Sequence, residues 1–356
     1  MMSQDLLDPS FARSGPPGPG SGGGSGARRA LLVKLSVTLV VLGLLAAGAD
    51  WGGIVARLSN ADPWLFAAGF VVKALTLPLA AFRWRSVGLA AGFRLTRWTA
   101  FRLQMASGFL GQILPGSVGA DLLRGWFTWR LGHPPGPVML ALLTDRTLAL
   151  LGVVAIGLVG LPHLIAVAPP AVATTVLGGA VVLVMLLAVS MLVGRIPVDR
   201  LPLPASWRKH AMVRRLWGAV STVTAHLRSV ATSRDGWIGL GHSVGVHLST
   251  IAATILFARS IGLPLGWLDG LAIVPAAIVA AALPVSLGGW GVREGAMVAG
   301  FALLGFDPSA ALLVSLLIGL SIAILSLPGG LFWLLLRGET TATPTKPDAF
   351  PTDPPR

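Results

Sequence analysis

Long apolar runs alternate with short polar connections along most of the chain. Six of these runs are long enough to cross a membrane and carry few charges: 31–49, 63–82, 138–161, 171–193, 237–257 and 310–336. A helix needs about 20 apolar residues to span the hydrocarbon core of a bilayer. The pattern therefore predicts an all-α integral membrane protein with about six full spans.

Two further apolar regions, 99–127 and 268–304, are interrupted by proline and glycine. Loops rich in Lys and Arg favour the cytoplasmic side, and such residues precede the first run, lie between 83 and 102, and fill 195–234. With all three stretches cytoplasmic, the first interrupted region has to enter and leave from the cytoplasm and the second from the periplasm. We expect two re-entrant repeats of inverted topology, with eight crossings if both penetrate fully.

The segments outside the apolar runs divide the chain into three parts. Residues 1–29 are rich in Gly, Pro and Ser and are predicted to form a disordered tail, 30–337 the membrane domain, and 338–356 a second disordered tail. The first run resembles a signal peptide but is longer, so we interpret it as a retained anchor. Both termini are expected in the cytoplasm, with the domain in a bacterial inner membrane.

The connection 195–236 is predicted to be a basic cytoplasmic loop that contains an amphipathic helix. Its apolar residues recur at helical spacing at Val213, Leu216, Trp217, Val220, Val223 and Leu227. Basic residues occupy much of the remaining surface, as in helices that lie in the membrane interface. The alternative is an exposed linker helix with a small apolar stripe.

Composition agrees with the membrane interpretation. Hydrophobic residues make up 54% of the chain and charged residues 12%, with mean hydropathy +0.78, whereas soluble domains carry about 25% charge. The excess of 27 Lys and Arg over 14 Asp and Glu lies beside apolar spans, which indicates contact with anionic lipid rather than nucleic acid. Cysteine is absent, so no disulfide or thiolate site is expected.

Both interrupted regions contain the same short motif. Leu-Pro-x-Ser-x-Gly is followed by a small residue and then by Arg, and 284 − 115, 286 − 117, 288 − 119 and 293 − 124 all equal 169. Broken helices at membrane depth are tolerated only inside protein or beside a wet cavity, and breaks in matching places of two halves point to a transporter site. The predicted hinges are Pro115, Gly116, Gly119, Pro284, Gly288 and Gly289.

Charged and polar side chains near these breaks form the candidate substrate site. They are Arg124, Arg293, Asp121, Glu294, Ser117, Ser286, Asp145 and Arg146. A charge at the bilayer centre costs ~2.5–3.5 kcal/mol on insertion scales and usually marks function. The alternative is that these charges form internal ion pairs that only hold helices together. Arg83 and Arg85 are interpreted as positive-inside anchors, with a role in binding a lipid headgroup as the alternative.

Common enzyme signatures are missing from the sequence. No lysine follows glycine, so there is no Walker A loop, and there is no HExxH pattern or nucleophile elbow. His242 and His247 lie five residues apart, on different faces of a helix, which favours packing or hydrogen bonding over metal binding. We expect no cofactor, no metal site and no enzymatic activity.

At these motifs the chain resembles the transmembrane flippase domain of lysylphosphatidylglycerol synthases and the related stand-alone flippase-like membrane proteins. The matching pieces are Arg83-Trp84, Leu114 to Ser117, Asp121, Arg124, Asp145-Arg146 and Pro284 to Glu294. The resemblance covers about 31–337 and implies lipid translocation. Ala120 departs from the usual Gly-Gly-Asp. In the complete synthases an aminoacyltransferase domain follows, and only a short polar tail follows Arg337 here, so synthase activity is not expected.

Three functions remain open from the sequence. The leading hypothesis is a lipid flippase or translocator that moves a phosphate-bearing headgroup through a polar cavity between the repeats. The second is a membrane-embedded lipid-modifying transferase, or the membrane partner of a separate transferase, with Asp121, Asp145 and Glu294 as acid or base groups. The third is a scaffold that docks a lipid-biosynthesis protein through the basic loop. Phospholipids, aminoacyl-phospholipids, polyprenyl-phosphate sugars and hopanoid-type lipids all remain candidates.

Overall fold

The protein was analysed as a computed structural model that describes residues 24–113, 119–193, 195, 196, 200, 204, 210–282, 286 and 288–341. Across these residues the chain forms helices and no strand. In chain order they are α1 Gly24–Ala47, α2 Trp51–Ser59, α3 Pro63–Ala74, α4 Thr76–Ala91, α5 Arg97–Ile113, α6 Gly119–Arg130, α7 Pro135–Val167, α8 Pro170–Val193, α9 Ala211–Thr232, α10 Arg234–Ser260, α11 Trp267–Ala282, α12 Val292–Leu303, α13 Pro308–Ser326 and α14 Gly329–Thr341.

Four helical segments are long and apolar enough to cross a membrane. They are Pro63–Ala91, Pro135–Val167, Arg234–Ser260 and Pro308–Arg337. A fifth is present if Leu32–Ala47 and Trp51–Ser59, bent by 82° at their junction, form one span. All six apolar runs of the sequence fall in helices, α8 included. The all-α, multi-pass membrane fold is confirmed, while the total number of crossings stays a prediction.

Short sequence signals set the starts of two of these segments. Asp62 precedes α3 and accepts hydrogen bonds from the Trp64 and Leu65 N–H groups at 2.8 and 3.1 Å. Asp307 precedes α13 and accepts from the Ser309 N–H at 3.1 Å. In both cases proline takes the first helical position, where its missing N–H costs nothing. An Asp-Pro pair therefore begins α3, and a second one begins α13.

The two interrupted regions fold as helical hairpins. The arms α5 and α6 pack against each other, and so do α11 and α12. The second arms, α6 and α12, have 12 residues each, or about 18 Å, against about 30 Å of hydrocarbon core. Neither arm is long enough to cross the bilayer, as predicted for re-entrant segments.

The 169-residue offset of the motif extends to a four-element unit. Adding 169 to 63–91, 97–113, 119–130 and 135–167 gives 232–260, 266–282, 288–299 and 304–336. The observed elements are Arg234–Ser260, α11, α12 and the pair α13–α14. Each repeat is thus a span, a re-entrant hairpin and a second span.

Corresponding spans of the two repeats run in opposite directions. Contacts between α3–α4 and α10 join Gly69 to Phe257, Lys73 to Thr250, Arg83 to Ser243 and Ser86 to Gly239. Residue numbers fall along one segment as they rise along the other, so the two are antiparallel. The repeats are therefore inverted, which is the arrangement that many alternating-access transporters share.

Loops at equivalent places in the two repeats are fixed in the same way. After the first span, Arg85 Nε donates to the Leu95 carbonyl at 3.1 Å. In the second repeat, Arg259 Nε donates to the Leu265 carbonyl at 2.9 Å. Arginine near the end of the span thus holds the connection to each hairpin.

Each hairpin packs closely on a span of the other repeat at a glycine. Gly160 of α7 faces α11, where an added Cβ would lie 2.2 Å from the Leu271 carbonyl oxygen. Gly329 of α14 faces α5, where an added Cβ would lie 2.1 Å from the Met105 carbonyl oxygen. The two glycines are 169 residues apart. They let helix backbones touch, which is typical of helix pairs in membranes.

Many large hydrophobic side chains are exposed on the outer surface, and several charged and polar side chains are buried. Exposed large hydrophobic side chains occur along α1, α3, α7, α8, α13 and α14, as expected of a surface that faces lipid. Buried polar or charged residues include Lys73, Arg83, Arg124, Asp145 and Glu294. This distribution is the reverse of a soluble domain and places the chemistry in the core.

The first and last helices extend a few residues past the predicted limits of the membrane domain. The tail 1–29 was expected to be disordered, but α1 begins at Gly24, because Ala27 to Ala30 are good helix formers. The tail 338–356 was likewise expected to be disordered, but α14 runs on to Thr341. Residues 1–23 and 342–356 lie outside the described residues.

The amphipathic helix of the basic loop is present as α9. Val213 and Trp217 are half-buried, and Trp217 Nε1 donates to the Ile196 carbonyl at 2.9 Å. Leu216 and Val220 of the same predicted stripe are 60% and 41% exposed. The protein therefore covers one side of the apolar stripe and leaves the other side free.

Candidate functional site

The first hairpin places Arg124 in the protein interior. Its side chain is 3% exposed, and its Nη1 donates to Gln104 Oε1 of the facing arm α5 at 2.7 Å. Its Nη2 donates to Asp145 Oδ2 of α7 at 2.7 Å. The guanidinium also lies over the Trp84 ring, 4.4 Å from the ring centre. Arg124 thus joins both arms of the hairpin to two spans.

Asp145 is shared by two arginines. Besides Arg124, it accepts from Arg83 Nε at 2.7 Å and from Arg83 Nη2 at 3.0 Å. The Asp145 side chain is 2% exposed and that of Arg83 is 10% exposed. The interpretation of Arg83 as a positive-inside anchor is wrong, because its guanidinium turns inward to a buried carboxylate. Arg83 Nη1 also donates to Ser243 of α10 at 3.4 Å.

The neighbouring charges complete a cluster with three arginines and two aspartates. Asp121 Oδ1 accepts from Arg124 Nη2 at 3.1 Å, as their three-residue spacing on one helix face predicted. Asp121 Oδ2 pairs with Arg146, whose side chain is 43% exposed. Asp145 and Arg146, although adjacent in sequence, therefore have different partners. We call Arg83, Asp121, Arg124, Asp145 and Arg146 the first cluster.

Two buried donors in and beside this cluster are unsatisfied. Within the described part of the chain, Trp84 Nε1 and Arg124 Nε have no hydrogen-bond partner. Trp84 is 0% exposed, so water does not reach it from outside. A buried unpaired donor costs about 1–3 kcal/mol, and more when it is charged. Both groups are suited to an acceptor such as a phosphate or carbonyl oxygen.

The second hairpin repeats the arrangement with different residues. Arg293 Nε donates to Glu294 Oε1 at 3.0 Å, and the guanidinium lies 4.6 Å from the centre of the Trp290 ring. Glu294 also accepts from the Gly291 N–H at 2.6 Å and from the Ser315 hydroxyl at 3.3 Å. We call Trp290, Arg293, Glu294 and Ser315 the second cluster. An arginine over a tryptophan is common to both clusters.

Glu294 occupies the start of α12. Its bond to the Gly291 N–H satisfies a donor that an incoming anion would otherwise meet. The positive end of this helix is thus already compensated by a carboxylate of the protein. The expected anion site at the second break therefore depends on the arginine and not on the helix terminus.

A polar stripe on α10 lies between the clusters. Its members are buried and follow helical spacing: Ser243, His247, Thr250 and Thr254. Lys73 of α3, only 6% exposed, donates to the Thr250 hydroxyl at 3.0 Å and lies close enough to Arg293 for their charges to repel. Ser243 at the other end accepts from Arg83. Polar side chains thus continue through the apolar core from one cluster towards the other.

Of the two histidines, His247 forms a hydrogen bond, as the sequence favoured. His247 Nε2 is bonded to the Ala149 carbonyl at 2.9 Å, so this side chain joins α10 to α7. In the described ranges, no group of three or more His, Asp or Glu side chains is placed to hold a metal ion.

The structure describes only some of the predicted hinge residues. Pro115, Gly116, Ser117 and Pro284 lie outside the described residues. Gly288 and Gly289 have φ of +58° and +80°, a conformation that glycine adopts readily. Gly119 begins α6, and Ala120 lies beside Gly111, where an added Cβ would be 2.5 Å from that of Ala120. Ser286 is 1% exposed, and its hydroxyl has no partner among the described residues.

Sequence reasoning missed several residues of the two clusters. Trp84, Gln104, Trp290 and Lys73 were not proposed as site residues, and Arg83 was assigned another role. Lys73 carried a usable signal, because it is a charge inside an apolar run, and both tryptophans lie in pieces of sequence that resemble the family. Nothing in the sequence pairs Trp84 with Arg124, which lies 40 residues later.

Comparison with known proteins agrees with this architecture. No curated protein matches the chain significantly. The model of a protein family described as the lysylphosphatidylglycerol synthase TM region matches residues 31–330, a range that contains both hairpins and both clusters. This match covers most of the chain and points to a function that involves membrane lipid. The chain therefore belongs to the lysylphosphatidylglycerol synthase TM region family.

Proposed function

We propose that the protein is a lipid translocator that moves a phosphate-bearing headgroup across the membrane between its two inverted repeats. The observation that carries this proposal is a pair of buried, unsatisfied donors: Arg124 Nε of the first cluster, and Nε1 of Trp84, whose ring lies under the Arg124 guanidinium. A phosphate offers oxygen acceptors and negative charge to the same site. The three arginines exceed the two aspartates by one charge, which favours an anion there.

The polar stripe on α10 supports a route for the headgroup between the two clusters, rather than a single binding site. A headgroup that leaves the first cluster would meet Ser243, His247, Thr250 and Lys73 before it reaches Arg293. Hydroxyl, imidazole and ammonium groups replace part of the hydration that a headgroup loses in the core. The hairpins would open this route alternately to the two sides, as inverted repeats do in other transporters.

Orientation and partners follow from the same proposal. Because Lys- and Arg-rich segments favour the cytoplasmic side, both termini are proposed to lie in the cytoplasm of a bacterial inner membrane. The cargo is a phospholipid or another anionic lipid, and a separate lipid-biosynthesis transferase that makes or uses this lipid is a proposed partner. The protein itself is proposed not to be an enzyme, with movement running downhill or coupled to an ion.

The test is translocation by the purified protein in vesicles. Headgroup-labelled phospholipid is placed in both leaflets, and an impermeant quencher is added outside. We expect the wild type to lose label beyond the outer-leaflet fraction, and Arg124→Ala to lose the outer fraction alone. Arg57→Ala is the matched control, because Arg57 pairs with Asp307 at the surface, where both side chains are at least 35% exposed.

Two results would count against the proposal. Equal quenching by wild type and Arg124→Ala would remove the first cluster from the route. If the wild type showed quenching of the outer-leaflet fraction alone, across a panel of phosphate-bearing lipids and ion gradients, the protein would not be a translocator. In the second case, formation of a lipid product from an activated donor would favour the transferase function, and co-purification of a transferase would favour the partner function.

A further inference from the structure

An apolar slot lies beside the first cluster, between α7, α9 and the start of α10. Its volume is about 140 Å³, similar to the 150 Å³ cavity that holds one benzene molecule in another protein. Its lining includes Thr144, Thr147, Leu227, Val230, Ala231 and Trp237. The basic amphipathic helix α9 therefore forms one wall of the slot with its apolar side.

One polar group at the slot is unsatisfied. Thr144 is 0% exposed, and its hydroxyl has no hydrogen-bond partner in the part of the chain that the structure describes. The second threonine of the lining, Thr147, donates to the Leu143 carbonyl of its own helix at 2.9 Å. A buried hydroxyl without a partner costs free energy that an acceptor on a ligand would recover. The slot therefore combines an apolar body with one free donor.

Sequence adjacency connects this donor to the first cluster. Thr144, Asp145 and Arg146 are consecutive on α7, so their side chains point to neighbouring faces of one helix. Asp145 faces Arg83 and Arg124, Arg146 reaches Asp121, and Thr144 borders the slot. A molecule with an acidic end in the cluster and an apolar end in the slot would pass Thr144 on the way.

We propose that the slot binds one acyl chain of a glycerophospholipid, with the Thr144 hydroxyl donating to the ester carbonyl and the phosphate directed to the first cluster. This inference rests on the proposed translocation and adds the residues that hold the acyl chain and its ester. The ester carbonyl is the one strong acceptor between an acyl chain and a phosphate. About six carbons of the chain fill the slot, and the rest extends into the bilayer.

The rim of the slot fits a position at the lipid interface. Trp237 is 65% exposed while it lines the slot, and tryptophan is enriched at the level of lipid headgroups. Arg234, one helical turn earlier on α10, is exposed and available to headgroup phosphates. A phospholipid that enters the slot from the membrane interface would contact both residues, whereas a fatty acid has no headgroup phosphate for Arg234 to bind.

The test is photo-crosslinking of the full chain in vesicles of phosphatidylcholine and phosphatidylglycerol. The probe is phosphatidylglycerol with a diazirine near the ester end of one acyl chain, and a parallel arm uses a diazirine fatty acid without the glycerol ester. We expect crosslinked peptides from 144–151 and 227–240. Ala231→Phe, which fills the slot from an exposed lining position, should lower their yield several-fold.

Two threonine variants separate the ester contact from simple lipid contact. Thr144→Val should lower the phosphatidylglycerol crosslink yield, while Thr147→Val, the matched change in the same slot, should leave it unchanged. Crosslinks that Ala231→Phe does not reduce would overturn the slot. Equal yields for Thr144→Val and Thr147→Val, or a fatty acid that crosslinks as well as the phospholipid, would overturn the ester assignment. Because crosslinking does not require transport, a failure of this proposal can be distinguished from a failure of the proposed translocation.

Discussion

At the scale of single residues, the first cluster depends on Asp145. Its two oxygens accept from two arginines at 2.7 to 3.0 Å, and the side chain is 2% exposed. Two guanidiniums at one buried carboxylate are stable only while that carboxylate is charged. Taking charges out of water is expensive, so such an arrangement does not by itself stabilise the fold. Its retention in the core is consistent with a role in binding an anion.

Asp145→Asn is expected to destabilise the protein by about 3–5 kcal/mol, because it leaves Arg83 and Arg124 as buried cations without their carboxylate. Arg57→Gln, which breaks an exposed ion pair, should cost less than about 1 kcal/mol. Unfolding of the purified variants by denaturant in detergent measures both values. Equal effects of the two changes would contradict the structural importance of Asp145.

His133 is expected to make stability depend on pH. It lies in the connection between α6 and α7 beside the Phe93 ring, with 5.1 Å between ring centres, and burial lowers its pKa below the ordinary 6.5. The unfolded chain therefore takes up the proton first as the pH falls, so the contribution is complete above about pH 6.5 and is lost below it.

His133→Gln cannot take up this proton, so its stability should fall less than that of the wild type between pH 7.5 and pH 5. Thermal unfolding at a series of pH values measures the difference between the two proteins. The other histidines are common to both and cancel in the comparison. The same drop in both proteins would show that His133 does not contribute.

At the scale of elements, the same kind of close glycine contact holds each of the two hairpins. Gly160 and Gly329 each allow a hairpin arm to touch a span of the other repeat through backbone atoms. Contacts near these glycines differ between the repeats. His163 is 2.8 Å from Asp269 on one side, whereas Trp98, Phe101 and Phe332 form a ring cluster on the other. The hairpins are therefore alike in backbone packing and unlike in chemistry.

Gly160→Ala and Gly329→Ala should each destabilise the protein by roughly 1–3 kcal/mol, because the new methyl group overlaps a facing backbone. Gly178→Ala in α8 is the matched control. No heavy atom lies within 4 Å of its added Cβ, so the change should be neutral or slightly stabilising in a helix. Unfolding measurements on the three variants give the comparison, and equal effects would contradict the close packing.

At this scale the sequence predicted the helical elements, and it missed the contacts between residues that lie far apart in the chain. Apolar runs and Pro-Gly breaks depend on neighbouring residues, so the spans, both hairpins and the 169-residue repeat could be found without coordinates. The partners of Asp145 could not, because Arg83 and Arg124 come from different helices. The role of Arg83 was wrong for the same reason: an arginine at the end of an apolar run has the same local pattern whether it faces lipid headgroups or a buried carboxylate.

At the scale of the whole molecule, the inverted repeats give the protein two similar ends. The spans Pro63–Ala91 and Arg234–Ser260 run antiparallel at its centre, and each hairpin packs on the last span of the other repeat. The proposed translocation requires one repeat to tilt against the other at this interface. Exchange between two such arrangements would expose the clusters to opposite sides of the membrane.

Inverted topology places the loops before the two hairpins on opposite sides of the membrane. Arg94 and Pro264 are exposed members of these loops, and the chain contains no cysteine of its own. We expect an impermeant maleimide to label Pro264→Cys in intact spheroplasts and Arg94→Cys only after the membrane is permeabilised. Labelling of both variants from the same side would contradict the inverted topology, and the reverse pattern would contradict the orientation proposed from the basic loops.

The most direct measurement of the central claim compares headgroup translocation in vesicles that contain the wild type, Arg124→Ala, Arg293→Ala or the double variant. One route through both clusters predicts that each single change abolishes translocation and that the double variant loses no more than either single one. Arg57→Ala should translocate as the wild type does. Single variants that each keep part of the rate, with losses that add in the double variant, would mean two independent sites and contradict a common route.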